Sequence, residues 1–249
     1  ESDGLTVGAG RGVTINSTSV IHTDTNRVTL AGPLFGGGEL VKRGEGTLTL
    51  AGLNSHAGAL NITNGTVRIG DGGLTGNFGT GAIRNNGQLV VDTAAELTFG
   101  NTLSGTGGLV KTGSGLLGLT GARTYTGTTI ISNGTLAVYG THSGGQYYLV
   151  HSSGVLAGNG TVNSEALVAG IVRPGPTNAL TVTNLTAGFL ARLQVFGQPG
   201  GRCGSGQGGG CRGRCRRFPC RHDRRRHGCR GLGSGSQRRC VAQSVASIR

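Results

Sequence analysis

The chain has no Trp and no Met, and only 5 Pro among its 249 residues. No apolar run approaches the roughly eighteen residues that a membrane-spanning helix needs. Cysteine is absent from residues 1–200, and all six (Cys203, Cys211, Cys215, Cys220, Cys229, Cys240) fall in the last 49 positions. That same stretch is almost without acid, Asp223 being its one carboxylate. Glycine, by contrast, reaches 52 residues. It has no three-residue period, which excludes a collagen helix. It interrupts every window that could be helical, at a cost of about 1 kcal/mol per interior position, which excludes long helices. Hydrophobic residues are 35% of the chain, yet Leu and Val recur at short, regular intervals, which argues against plain disorder.

Charge divides the chain as cysteine does. The net charge of +13 is nearly all in the tail, since residues 1–200 hold almost equal numbers of basic and acidic side chains. We therefore read two parts, 1–200 and 201–249, with the seam near Gln198-Pro199-Gly200. Glu1 opens the chain without a Met or an apolar leader, as expected of a processed or partial sequence.

The first part repeats itself. Gly38–Ile69 aligns without a gap on Gly107–Val138, at an offset of 69 residues. The matches include Leu40/Leu109, Val41/Val110, Lys42/Lys111, Gly44/Gly113, Leu48/Leu117, Leu50/Leu119, Gly58/Gly127, Ile62/Ile131 and Asn-Gly-Thr at 64–66 and 133–135. Within each copy, apolar and small polar residues alternate, as in Thr47-Leu48-Thr49-Leu50, Val67-Arg68-Ile69 and Leu97-Thr98-Phe99. Alternation over short runs predicts strands. The runs are separated by glycine and by Asn-Gly at 64–65, 86–87, 133–134 and 159–160, where positive φ is expected. A sandwich, an up-and-down barrel or a β-helix would each suit such spacing. The ungapped repeat favours a solenoid. It predicts three coils of about 23 residues per repeat, and roughly nine coils in all. At about 4.8 Å per coil, these would extend about 40 Å.

The pattern LVK-x-G-x-G-x-L-x-L-x-G…TYTG-TT-x-I-x-x-GTL-x-V at Leu109–Val138 resembles the passenger-associated strand repeat of bacterial autotransporters. Asn86–Gly107, Gly154–Val162 and Val172-Arg173-Pro174-Gly175-Pro176 resemble neighbouring parts of the same passengers, so that the likeness runs over about residues 25–197. The first copy departs from it, with His56-Ala57-Gly58 where the second has Tyr125-Thr126-Gly127. The resemblance implies an all-β fold, a right-handed parallel β-helix, displayed on or released from a Gram-negative cell. It implies partners among host or matrix macromolecules or sister cells. It also implies a C-terminal translocator barrel, which we do not find in the sequence, since nothing after Gly197 alternates as membrane strands do. A cysteine-free body fits that export route, because disulfides would obstruct threading.

Three readings compete for 201–249, a low-complexity Arg/Gly/Cys-rich tail expected to be disordered. Cys215, Cys220, His222, His227 and Cys229 are zinc-ligand types, but no C-x2-C is present. Arg212 to Arg230 carries the charge for nonspecific polyanion binding, with Phe218 as its one aromatic; no specific nucleic acid is expected. The abrupt change of composition also suits translation in a shifted frame of GC-rich DNA, because Arg, Gly and Cys codons are largely shifted versions of one another.

For the body we nominate no catalytic, cofactor-binding or metal residues, and expect a non-enzyme without cofactors. No G-x-S-x-G elbow occurs, and Ser104 and Ser153 read as turn residues. His22, His56, His142 and His151 read as isolated, exposed loop side chains. Asp92 and Glu96 read as solvated groups beside a turn. Ile69-Gly70-Asp71-Gly72-Gly73 has too few acids for a calcium repeat. Asn16, Asn61, Asn64, Asn133, Asn159 and Asn184 stand in N-x-[ST], which for Asn-Gly-Thr is simply turn followed by strand. Thr47-x-Thr49 and Thr181-x-Thr183 are too sporadic for the threonine array of an ice-binding face. The expected role is a structural or adhesive passenger. The alternatives are the stalk of an enzymatic (protease or lipase) passenger and polyanion binding through the tail.

Overall fold

The computed structural model describes residues 4–175, 180–188, 191–193, 241–242 and 246–248. Among them every regular element is a strand. The strands within residues 4–193 pair in parallel, each with the strand one coil away, so the body is a parallel β-solenoid.

The coils have three faces. The first carries Gly4–Val7, Arg27–Leu30, Thr47–Leu50, Thr66–Ile69, Gln88–Val91, Gly108–Lys111, Thr129–Ile131, Tyr147–Val150 and the second halves of Thr161–Val168 and Leu180–Ala187. The second face carries Leu34–Phe35, and further along Leu97–Phe99, Leu116–Leu119, Gly134–Val138, Gly154–Gly158 and Ile171–Pro174. The third carries Ser19–His22, Leu40–Arg43, Leu60–Ile62, Ile83–Asn85, Leu103–Ser104 and Thr141–His142. Ser104 thus ends a strand, while Ser153 sits in a turn as expected.

Alternation within each strand puts one set of side chains inside. On the first face Leu30, Leu50, Ile69 and Val91 are stacked in register and buried. On the second face Leu117, Leu136, Leu156 and Val172 do the same. Leu40, Leu60, Ile83 and Leu103 form the ladder of the third. These ladders are one continuous apolar core. Each fully buried aliphatic contributes about 1.5–3 kcal/mol of transfer free energy.

The coil is shorter than 23 residues. Arg27 pairs with Thr47, Thr47 with Thr66, and Leu109 with Thr129, steps of 20, 19 and 20. The 23-residue step occurs once on the first face, from Gly4 to Arg27. The repeat therefore does not span three coils. Leu40–Arg43 of the first copy lies on the third face, whereas its equivalent Gly108–Lys111 lies on the first. Likewise Thr47–Leu50 lies on the first face and Leu116–Leu119 on the second. The offset is three and one-third turns, and the second copy is rotated by one face. Nine steps still separate the ten parallel strands of the first face, as the total length implied.

Of the four Asn-Gly turns, two behave as expected. Gly65 and Gly134 have φ of 67° and 71°, and they occupy equivalent positions in the two copies. Gly87 and Gly160 do not have positive φ. Glycine is needed there because a Cβ would run into the carbonyls of Gly65 and Gly140 on the preceding coil. Close stacking of backbones, rather than turn handedness, fixes those two.

The tail lies outside the described residues except for two short strands, Val241–Ala242 and Ala246–Ile248. Both run antiparallel to Leu180–Ala187.

Candidate functional site

The chemistry of the body lies inside it. Lys42, Lys111 and Arg123 are each at most 1% exposed and occupy inward ladder positions. Lys42 stands between Ile21 and Ile62 in the third-face ladder. Lys111 stands between Val91 and Ile131 in the first. Each lysine follows Leu-Val in the repeat, so its side chain must enter the core wherever Leu40 or Leu109 does. The ammonium groups turn to backbone oxygen. Lys42 Nζ donates to Gly44 O at 2.6 Å, Arg43 O at 3.2 Å and Asn64 O at 3.3 Å, which uses all three protons. Lys111 Nζ donates to Gly113 O, the equivalent carbonyl of the second copy. Burial lowers both from the ordinary lysine range, opposed by Glu45 for Lys42 and by Asp92 for Lys111, and it brings Lys111 down to about 8.

A second cluster joins neighbouring coils where strands lapse. Arg123 is held to the third face by isolated bridges to Leu103 and His142. Its guanidinium donates to the carbonyls of Phe99, Asn101 and Ala122, while Nε has no partner. His142 takes the next inward position. Its Nε2 lies 3.2 Å from Tyr125 O and its Nδ1 lies 2.8 Å from Tyr148 Oη. A carbonyl only accepts, so Nε2 carries the proton and Nδ1 accepts from the Tyr148 hydroxyl. The His142 ring stacks on Tyr125 at 4.3 Å, and Tyr125 Oη is 2.5 Å from Thr129 Oγ1. Burial pushes both tyrosines up, Tyr125 to about 12, and pushes His142 down.

The first copy has a related cluster at the equivalent positions. Asn54 and His56 align with Arg123 and Tyr125, and both are buried. Leu34 N–H donates to Asn54 Oδ1 at 2.7 Å, and Asn54 N–H donates to Asn77 Oδ1 at 2.5 Å. His56 Nδ1 lies 3.2 Å from Phe35 O, and its ring meets Phe78 edge-on. Side-chain amides here replace the missing strand ladder of the second face.

His56 and His142 are therefore core residues, contrary to the expectation of exposed loops. Both are polar residues in non-strand or strand-end positions, which read as surface in a sequence. A signal was nevertheless present, because His56 occupies the repeat position of Tyr125. His22 and His151 are exposed as expected, but His22 ends a third-face strand rather than lying in a loop, and its Nδ1 is 3.1 Å from Asp24 Oδ1. His22 and Asp24 line a cavity of about 310 Å³ with Gly4, Leu5, Asn26 and Arg27. Asp92 is not free in solvent but pairs with Arg68 across neighbouring first-face strands, while Glu96 is exposed. Asp71 stays in an exposed loop and bonds Gly73 N–H at 3.1 Å. Asn64 and Asn133 serve their turns, Asn64 accepting from Gly44 N–H and Asn133 from Gly134 N–H. No group of three or more metal-ligand side chains occurs among the described residues. The zinc-ligand types and the basic run of the tail lie outside those residues.

The fold defines a class: a β-solenoid whose polar interior is spent on its own backbone. Comparison with known proteins narrows it. The passenger-associated-transport-repeat matches residues 40–69 and 109–138, the two copies read from the sequence. The chain is 39% identical over 164 residues to the adhesin BmaC autotransporter of Brucella suis biovar 1, covering 57% of this chain and 5% of that protein. It is 42% identical over 87 residues to an extracellular serine protease of Serratia marcescens, covering 33% of this chain and 8% of that one. It is 36% identical over 117 residues to the autotransporter lipoprotein NalP of Neisseria meningitidis serogroup B, covering 45% and 10%. The chain thus spans a tenth or less of the curated relatives it matches. No solved structure matches it. The chain carries two passenger-associated transport repeats and is similar to stretches of autotransporter proteins.

Proposed function

We propose that this body is a non-catalytic scaffold of a passenger displayed on, or released from, a Gram-negative cell, with an adhesive role toward host or matrix macromolecules or sister cells. The carrying observation is the use of the buried polar groups. Lys42, Lys111, Arg123 and Asn54 all bond backbone atoms of their own or neighbouring coils, which is structural work. The long alignment with the adhesin BmaC supports the adhesive reading. Recognition would then rest on outward side chains of a long sheet surface rather than on a pocket.

The test is display of the chain on a non-adherent cell carrying a translocator. The expected result is a gain in adherence or in autoaggregation. Unchanged behaviour of cells with verified surface display would count against it.

A second reading is favoured by the match to the Serratia extracellular serine protease. On that reading the solenoid is the stalk of an enzymatic passenger. The coding sequence upstream of Glu1 discriminates: an encoded serine-nucleophile domain would favour the stalk, and further strand repeats would favour the adhesive scaffold.

A further inference from the structure

The solenoid core is aliphatic along most of its length, and of its buried polar clusters one carries two nitrogen groups in a single ladder. On the third face the ladder Leu40–Leu60–Ile83–Leu103 gives way to Arg123 and then His142, and resumes with Val162. Two nitrogen bases thus follow each other on successive rungs, both buried. Their contacts are with hydroxyls and carbonyls. Arg123 is bound by Phe99 O, Asn101 O and Ala122 O, and His142 by Tyr125 O and Tyr148 Oη. Tyr125 and Thr129 complete the packing, and Gly145 backs onto the imidazole Cε1. Lys111, on a neighbouring first-face strand, directs its ammonium to Gly113 O.

The arrangement fits one charge state of His142. Its Nδ1 must accept from Tyr148, so a proton there would turn an acceptor toward a donor. It would also place a second buried cation one rung from Arg123. A cation buried without a counter-charge is expensive, and the protein must either refuse the proton or open to hydrate it. Burial and Arg123 both oppose protonation, while the Tyr125 carbonyl favours it. The stretch is also the weak place of the ladder in backbone terms, because residues 120–128 form no strand and the third face is carried there by single bridges.

We propose that the Arg123–Tyr125–His142–Tyr148 unit is an acid-sensitive joint: proton uptake by His142 opens the coils spanning residues 120–150, while the coils spanning residues 40–70 stay paired. The second stretch is the internal control, since it carries the equivalent repeat and its own buried His56 with a free Nε2, but has Asn54 where the joint has Arg123.

The experiment is amide hydrogen exchange on the full chain at about pH 7.5 and about pH 5, with rates corrected for the intrinsic effect of pH. Peptides covering 120–150 are expected to lose about tenfold or more of their protection relative to peptides covering 40–70. In His142→Gln, whose amide keeps one donor and one acceptor but does not titrate, the differential loss is expected to vanish. Equal loss in both stretches, or the same differential in His142→Gln, would overturn the proposal. If that variant does not fold at the higher pH, ring C–H resonances of His142 are followed in the unmodified chain. Protonation and loss of protection sharing one midpoint supports the joint. Protonation with protection intact, or loss of protection while His142 stays neutral, overturns it.

Discussion

At the scale of the residue, the interior cations and phenols give the body a distinctive alkaline profile. Lys111 has a folded value of about 8 against 10.5 for the free side chain. The folded state therefore binds fewer protons than the unfolded one between those limits, and stability rises with pH across that window. Tyr125 is shifted the other way, from 10.0 to about 12, so its contribution is present below 10 and lost as pH rises through about 12. The melting temperature is thus expected to rise from about pH 8, pass a maximum near about pH 10, and then fall. Lys111→Met should flatten the rising limb and leave the fall, as read by thermal circular dichroism across that range. A rising limb of equal slope in the variant would remove Lys111 as its cause.

Glycine gives a second residue-scale expectation, because two glycines differ both in backbone conformation and in what surrounds them. Gly134 has a φ of 71°, and a Cβ there would strike the Gly113 carbonyl of the coil below. Gly37 has nothing within 4 Å of its would-be Cβ and no positive φ. Gly134→Ala should cost on the order of 1–3 kcal/mol. Gly37→Ala should fall within about 0.5 kcal/mol of neutral. Denaturant midpoints of the two variants compare them directly.

At the scale of the element, the strands were readable because their alternation is local and strong. Thr47–Leu50, Thr66–Ile69, Leu97–Phe99 and Leu180–Val182 present their aliphatics inward as the sequence pattern requires. What the alternation does not carry is the length of a coil. A strand pattern is silent about how many strands close one turn, and 69 residues divide as readily by three as by ten. The ten strand positions actually counted make three turns and a third, a number visible only once Thr47 is seen to pair with Thr66. The buried polar clusters were hidden for another reason. Polarity at Asn54, His56, Arg123 and His142 reads as exposure unless a backbone carbonyl is known to be waiting inside. The ladders also set an expectation: Leu117→Ala, in the centre of the second face and fully buried, should cost about 2–5 kcal/mol, because neighbouring coils held at a fixed rise cannot collapse into the space. Val155→Ala, partly exposed on the outside of the same face, should cost under about 1 kcal/mol. Equal costs in urea melts would mean that the ladder is not the seat of stability.

At the scale of the whole molecule, each coil is supported by the coils beside it, so length can be changed in units that respect the pairing. Removing residues 40–108 deletes one repeat and joins Glu39 to Leu109. Every strand downstream then moves by one face, and Leu109 takes the position on the third face that Leu40 held beside Ser19–His22. Because the two copies share their inward residues, the shortened chain is expected to fold and to melt in one transition, with an enthalpy reduced roughly in proportion to length. Removing about half a repeat should instead leave a mismatched seam and a broad or split transition. Differential calorimetry of the two deletions against the full chain separates these outcomes.

The extra third of a turn has a consequence for the outside of the molecule. Had each repeat closed on a whole number of turns, surface residues common to the copies would line up along one side, and the protein would have a front and a back. Instead Thr66 and Thr135 point in directions a third of a revolution apart. The duplicated surface winds around the body like the thread of a screw. An array of such repeats would show the same features in every direction around its axis, so that it need not be turned toward a partner in order to meet it.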